Sequence, residues 1–183
     1  MNNTINQEKK PSRARDYALT GLLVALVFVS TYFIQIRLPI SINGGLVHLG
    51  NVVLFTIAIV FGKEKGAIAG AFGMGLFDVL SGWMIWAPFT FVIRGAMGYI
   101  IGGISYRKGL KGENILWNLL GILLASLVML GGYYLTEVLL YGNWVTPATS
   151  IPGNLTQLGF GLTALALAPV IKKAVKIFLK TEA

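Results

Sequence analysis

Long apolar runs alternate along the whole chain with short stretches that contain charged residues, glycine or proline. A helix needs roughly 20 mostly apolar residues, each rising about 1.5 Å, to cross a hydrocarbon core of about 30 Å. The pattern therefore predicts an all-α integral membrane protein with six spans in a single bundle, preceded by a cytoplasmic tail. The tail is 1–16, and the spans are 17–36, 45–62, 66–81, 89–106, 115–139 and 154–171.

Composition supports lipid rather than water as the surroundings of these runs. The chain is 55% hydrophobic and only 12% charged, about half the charged fraction of a soluble domain. It contains no cysteine and one histidine, which excludes a disulfide framework, a thiolate metal site and a multi-histidine metal site. We therefore expect neither a metal nor a cofactor.

The positions of the basic residues predict the orientation of the bundle. Lysine and arginine are concentrated in cytoplasmic loops, and with six spans all but Arg37 and Arg94 of the 15 basic residues fall on one side. Both termini are then cytoplasmic in a prokaryotic cell membrane, and the first run is a retained span. The clustered residues are Lys9, Lys10, Arg13, Arg15, Lys63, Lys65, Arg107, Lys108, Lys111, Lys172, Lys173, Lys176 and Lys180.

Small residues recur at helical spacing in spans one, three and four. Such residues let helix backbones approach each other closely in a membrane. For the pairs Gly66/Gly70 and Gly98/Gly102 we expect packing inside the bundle. A stripe in span one allows two interpretations, packing inside the bundle or a docking face for a partner helix; it consists of Ala18, Gly21 and Ala25.

Two ionisable residues lie within predicted spans, where charge is costly and usually functional. Asp78 in span three and Arg94 in span four are each eight residues from Trp86, near the turn that joins their helices. An antiparallel hairpin places them at similar depth, which predicts a buried ion pair that either locks the hairpin or borders a ligand. With five donors, Arg94 is the better candidate for contacting a ligand as well.

Polar and aromatic side chains gather in the outer halves of spans two to six, whereas the inner halves are almost wholly apolar. A polar chamber above an apolar floor indicates a site reached from outside rather than a continuous pore. Its residue types suit a small aromatic ligand that forms hydrogen bonds. The predicted ligand contacts are His48, Asn51, Trp86, Arg94, Tyr133, Glu137, Tyr141, Asn154 and Gln157.

Over essentially its whole length the chain resembles the substrate-binding S components of energy-coupling-factor (ECF) vitamin transporters. The resemblance rests on the chain length, the six spans, the small-residue stripe of span one, and the runs GLVHLGN at 45–51, GAFGMGLFD at 70–78 and APFTFVIRG at 87–95. Those runs are most similar to the hydroxymethylpyrimidine/pyridoxine type.

The resemblance implies a function that composition alone does not show. Such proteins capture a vitamin with high affinity and associate with a transmembrane T component and two ABC-type ATPases. The S component is thought to topple in the membrane so that its pocket turns inward. The stripe of span one would contact the T component, with Gly21-x-x-x-Ala25 as the nearest match to the family's Ala-x-x-x-Ala. Because the chain has no Walker motif, ATP hydrolysis would belong to the partners.

Two other function classes are alternatives to a vitamin-binding S component. A self-sufficient secondary transporter or channel for a small polar solute would be expected to show internal repeats or inner-half ionisable groups, and we find neither in the sequence. An intramembrane protease needs an activated serine. Ser81 lacks the Gly-x-Ser-Gly setting, and His48 lies at an outer helix start. We therefore expect a protein that is not an enzyme.

Overall fold

The computed structural model describes residues 12–37 and 46–181, with the side chains of 12–36 and 46–177. Seven α-helices, two short 3-10 turns and two short strands make up this part of the chain. The helices are α1 Arg13–Phe33, α2 Gly50–Phe61, α3 Lys63–Leu80, α4 Ala87–Ser105, α5 Ile115–Tyr141, α6 Ile151–Gly161 and α7 Ala164–Thr181; the turns are Arg107–Gly109 and Thr146–Ser150.

A small β-hairpin lies where the sequence predicted only loop and helix. Strand β1, Gln35–Arg37, pairs antiparallel with strand β2, Leu46–His48, so that Gln35 lies opposite His48. Helix α2 consequently begins at Gly50 rather than at residue 45. The run at 45–49 is too short for its apolar character to separate strand from helix, and this ambiguity is inherent in short apolar runs.

Two further helix boundaries differ from the predicted ones. Only Gly62 separates α2 from α3, because its φ of +87° turns the chain at once, and the charged segment at 63–65 forms the first turn of α3 rather than a loop. The predicted sixth span is two helices, α6 and α7, which are separated by Leu162 and Thr163.

The outer surface of the bundle is that of an α-helical membrane protein. Four segments are long and apolar enough to cross a membrane; they are Arg13–Phe33, Ala87–Ser105, Ile115–Tyr141 and Thr146–Ile177. Helix α2 is an apolar helix of only 12 residues, and α3 carries four charged side chains. Large apolar side chains such as Val92 and Leu127 are 68% and 65% exposed, which suits contact with lipid.

Glycine allows α3 and α4 to touch backbone to backbone, as the small-residue pairs predicted. A Cβ atom added to Gly98 would overlap the Gly66 carbonyl, and one added to Gly70 would lie 2.7 Å from the carbonyl oxygen of Arg94. Packing inside the bundle is therefore confirmed for these glycines. The close crossing also holds the two helices in a fixed register.

The small residues of α1 face out of the bundle. This helix packs inward through Leu23 and Val27, whereas the stripe of Ala18, Gly21 and Ala25 is exposed. A Cβ atom added to Gly21 would meet nothing within 4 Å. Of the two interpretations of this stripe, packing inside the bundle is wrong.

The bundle has two chemically different ends. Basic residues gather at the basic end, which is formed by the start of α1, the α2–α3 junction, residues 106–114 and the far part of α7. There Lys65 pairs with Asp16, and Lys176 donates to Glu113 at 2.7 Å. The opposite end, formed by the β-hairpin, the α3–α4 turn and residues 142–150, is called the hairpin end.

Candidate functional site

A cavity opens at the hairpin end, between β2 and helices α1 and α3 to α6. Polar, charged and aromatic side chains from different elements share its wall. The lining residues are Thr31, Leu46, His48, Met74, Phe77, Asp78, Trp83, Trp86, Thr90, Arg94, Tyr133, Glu137, Ser150, Gly153, Asn154 and Gln157.

Arg94 reaches this cavity from α4 and is held by neutral partners. Its Nη1 donates to Asn51 Oδ1 at 2.5 Å and lies 3.2 Å from Met129 Sδ, while its Nε donates to the Tyr133 hydroxyl at 3.1 Å. The guanidinium also lies 5.0 Å from the centre of the Tyr133 ring, a favourable cation–π distance. A cation that is only 3% exposed is thus fixed without a carboxylate from the described residues against it.

Asp78 borders the same cavity but does not pair directly with Arg94. The ion pairs among the described residues join Lys65 to Asp16 and Lys176 to Glu113. The Asp78 carboxylate instead interacts with the hydroxyl of Thr90, which accepts a hydrogen bond from Tyr133 at 3.1 Å. The structure therefore differs from the predicted Asp78–Arg94 ion pair, because neutral groups on α2 and α5 hold the guanidinium through Nε and Nη1.

An aromatic wall stands beside these charges. The ring of Trp86, at the start of α4, lies 6.3 Å from the ring of Tyr133 and 6.3 Å from that of Tyr141. Trp86 and Tyr133 line the cavity. Tyr141 lies behind Trp86 and is 46% exposed. A flat ring entering the cavity would therefore meet Trp86 and Tyr133.

Further hydrogen-bonding groups from α5, the 146–150 turn and α6 line the cavity. Glu137 accepts from the Ser150 hydroxyl at 2.9 Å and is only 4% exposed. The Gln157 side-chain amide donates through Nε2 to the carbonyl of Leu46 on β2. Its Oε1 is buried and has no hydrogen-bond donor among the described residues.

His48 joins the β-hairpin to α2 at the edge of the cavity. Its Nδ1 accepts from the backbone N–H of Gly50 at 3.2 Å, so the ring closes the turn that begins α2. Asn51 lies one helical turn deeper, is fully buried, and reaches the cavity only through Arg94. The side chain of Asn51 supports the floor rather than forming it.

Beneath Arg94 the bundle is packed with apolar side chains. Buried residues of α2, α4 and α5 fill this region, and they include Leu54, Ala58, Ile101, Ile122 and Ala125. The described cavity therefore has an apolar floor, as the sequence predicted. Among the described residues, no group of three histidine, cysteine, aspartate or glutamate side chains could hold a metal ion.

Most of the predicted ligand contacts meet in this cavity. Thr90, Ser150 and Phe77 also line it and were not predicted. Thr90 carries a detectable signal, since it is a polar residue one turn before Arg94 on the same face of α4. Predicted contacts that line the cavity are His48, Trp86, Arg94, Tyr133, Glu137, Asn154 and Gln157, whereas Asn51 and Tyr141 do not line it.

Comparison with known proteins gives three further findings. A family model described as "ECF-type riboflavin transporter, S component" matches residues 12–175. The chain is 31% identical over 156 residues to the thiamine precursor transporter HmpT of Lactococcus lactis subsp. cremoris (strain MG1363), covering 85% of this chain and 86% of that protein. It is also 37% identical over 107 residues to an "Uncharacterized protein in gap 3'region" of Pyrococcus woesei, covering 58% of this chain and 69% of that protein.

Proposed function

Because the chain belongs to the ECF-type riboflavin transporter S-component family, we propose that it is the vitamin-binding subunit of an ATP-driven importer and that it binds hydroxymethylpyrimidine. The family consists of transporter components rather than enzymes. One observation carries the proposal, namely the closed-floor cavity in which Arg94, Glu137 and Trp86 meet. That combination offers hydrogen bonds and stacking to a small heteroaromatic ring.

One consideration favours hydroxymethylpyrimidine over pyridoxine and riboflavin as the substrate. The relative of known function that covers most of the chain is named a thiamine precursor transporter, and hydroxymethylpyrimidine is such a precursor. Riboflavin, the vitamin in the description of the matching family model, carries three fused rings and a ribityl chain and is included in the test. Pyridoxine has the right size and serves as the nearest competitor in the test.

We propose that six segments cross the membrane, with the basic end in the cytoplasm and the cavity facing outward. Helix α2 is too short to cross alone, since 12 residues rise only about 18 Å. Strand β2 precedes it and adds about 10 Å in extended form. Together they approach the thickness of the hydrocarbon core. The excess of lysine and arginine at the basic end supports this orientation.

The family and the exposed face of α1 support a T component and two ATPases as the partners. An S component works with a T component and two ABC-type ATPases, and this chain carries no Walker motif of its own. The exposed stripe of Ala18, Gly21 and Ala25 offers the T component a flat face, where helix backbones can approach closely. We assign it as the contact with the T component.

A binding assay on the purified protein in detergent tests the proposed function. Hydroxymethylpyrimidine, pyridoxine and riboflavin are titrated separately by calorimetry. We expect the tightest binding for hydroxymethylpyrimidine, and a failure of all three vitamins to bind would overturn the proposal. Tight binding of another vitamin from the panel would leave the S-component function standing and replace the substrate.

Reconstitution separates an S component from a self-sufficient carrier or channel. Liposomes that contain this chain alone should retain no hydroxymethylpyrimidine beyond the bound fraction, because the cavity ends on packed apolar side chains. Addition of a T component and both ATPases with internal ATP should start uptake. Uptake by the chain alone would support the carrier and contradict the proposal.

A further inference from the structure

We infer that the cavity selects the aminopyrimidine form of the ligand, an inference that rests on the proposed function. Gln157 accepts a hydrogen bond from the ligand, and Arg94 donates one to it. The proposal concerns substrate class. It separates an aminopyrimidine from the pyrimidinone of almost identical shape in which a carbonyl replaces the exocyclic amine.

Gln157 provides the first half of the inference. Its amide is only 3% exposed, and Nε2 is committed to the carbonyl of Leu46. That contact fixes the amide orientation, because turning the amide over would place two acceptor oxygens against each other. Oε1 is then left buried without a donor among the described residues. A buried acceptor without a partner is unfavourable, and a ligand donor would relieve this.

Arg94 provides the second half. Three of its contacts use Nε and Nη1, which reach Tyr133, Asn51 and Met129. Nη2 has no hydrogen-bond acceptor within the described part of the chain. A guanidinium carries five N–H donors and no acceptor, so donors on Arg94 remain for a ligand. Because this side chain lines the cavity, it favours a ligand that presents an acceptor such as a ring nitrogen.

An aminopyrimidine meets both requirements with adjacent atoms. Its ring nitrogen accepts a hydrogen bond, and the neighbouring exocyclic amine donates. Deamination reverses both, since the pyrimidinone presents a ring N–H next to a carbonyl. Towards Arg94 the N–H would face another donor, and towards Gln157 Oε1 the carbonyl would face another acceptor. A site built to hydrogen-bond one group rejects the analogue that lacks it far more strongly than an apolar pocket can.

The test compares hydroxymethylpyrimidine with its deaminated analogue on the same protein by calorimetry. For the native chain we expect a preference of about 100-fold or more for the amine, as for other sites that read a polar group. In Gln157→Met, which keeps the side-chain length but removes the acceptor, the preference should fall below about tenfold. The control Thr156→Val changes an exposed residue on the same helix and should keep the full preference.

The outcomes distinguish the two proposals. Equal binding of both compounds by the native chain overturns the selectivity and leaves the proposed function intact. Binding of neither compound overturns hydroxymethylpyrimidine as the proposed substrate together with the selectivity. An unchanged preference in a folded Gln157→Met variant would exclude Gln157 as the reader of the amine. Because the first comparison uses the native chain, it does not depend on the folding of any variant.

Discussion

Nη1 of Arg94 on α4 donates to Oδ1 of Asn51 on α2 at 2.5 Å, and both side chains are buried. This contact joins two helices that are not neighbours in the chain. It also fixes the direction of the guanidinium, because Tyr133 holds the other side of the same group through Nε. Asn51 therefore orients the Arg94 side chain in the cavity although it does not line the cavity itself.

Replacing Asn51 should weaken ligand binding although Asn51 touches no ligand. In Asn51→Ala the guanidinium loses a buried charge-assisted hydrogen bond worth about 1.5–3 kcal/mol and reorients. We expect at least about tenfold weaker affinity, equivalent to about 1.4 kcal/mol, together with a lower unfolding temperature. Calorimetry and thermal unfolding in detergent measure the two effects.

A second buried asparagine provides the matched control. Asn118 on α5 donates to the carbonyl of Gly112 at 3.0 Å near the basic end, far from the cavity lining. Asn118→Ala should lower the unfolding temperature but keep the native affinity. Equal losses of affinity in both variants would mean that binding responds to stability alone, which contradicts the supporting role of Asn51.

The sequence predicted the helices and the types of residue in the site, but not which of these residues contact each other. Apolar run length and charge position predicted the helical, membrane-embedded character of the chain, since both act locally along it. The partnership of Asn51 with Arg94 depends on how α2 is rotated against α4, and no stripe on a single helix contains that information. The hairpin partner of His48 was missed for a similar reason, because strand pairing is a contact between distant residues.

Tryptophan fluorescence should report ligand binding mainly through Trp86. This ring borders the cavity next to Tyr133, so a bound heteroaromatic ring would lie close enough to quench it. We expect Trp86→Phe to lose most of the ligand-induced change in fluorescence and to weaken binding by about 0.5–1.5 kcal/mol, the range for one aromatic pair. Trp117→Phe is the control, since Trp117 packs near Arg107 at the basic end. A signal that survives in Trp86→Phe and vanishes in Trp117→Phe would place the ligand elsewhere.

The glycine crossing of α3 and α4 should tolerate no side chain. In Gly98→Ala the added methyl group would overlap the backbone of Gly66, and overpacking of this kind costs about 1–3 kcal/mol or more. Thermal unfolding in detergent should show a clear fall in midpoint. Gly103→Ala serves as the control on the same helix, because an added Cβ there meets nothing within 4 Å. Equal midpoints for the two variants would refute the close crossing.

Acid should remove a small contribution to stability at the basic end. Lys176 donates to Glu113 at 2.7 Å, and this hydrogen bond, with the charges of Lys176 and Lys172, lowers the pKa of Glu113. Because the pKa is lower in the folded state than in the unfolded state, ionised Glu113 stabilises the fold above the ordinary carboxyl pKa of about 4.3. This contribution is lost as the pH falls through the pKa of the folded state. The unfolding midpoint of the native chain should therefore exceed that of Glu113→Gln at neutral pH, and the two should converge in acid. The difference will be small because the pair is exposed to solvent. A difference that grows in acid would contradict the assignment.

The outward stripe of α1 should separate ligand capture from transport. It lies on the surface of the helix opposite Leu23 and Val27, which pack into the bundle, so a large side chain at Gly21 does not disturb the core or the cavity. A tryptophan there would hold an approaching helix away, because close approach in a membrane depends on small residues. Gly21→Trp should thus bind hydroxymethylpyrimidine with native affinity and lose ATP-driven uptake in liposomes that contain the T component and both ATPases.

Leu127→Trp, which adds similar bulk to an exposed position of α5, should retain both activities. If Gly21→Trp transported normally, the T component would have to dock on another face, and if it lost binding instead, α1 would support the cavity in a way that its packing does not explain.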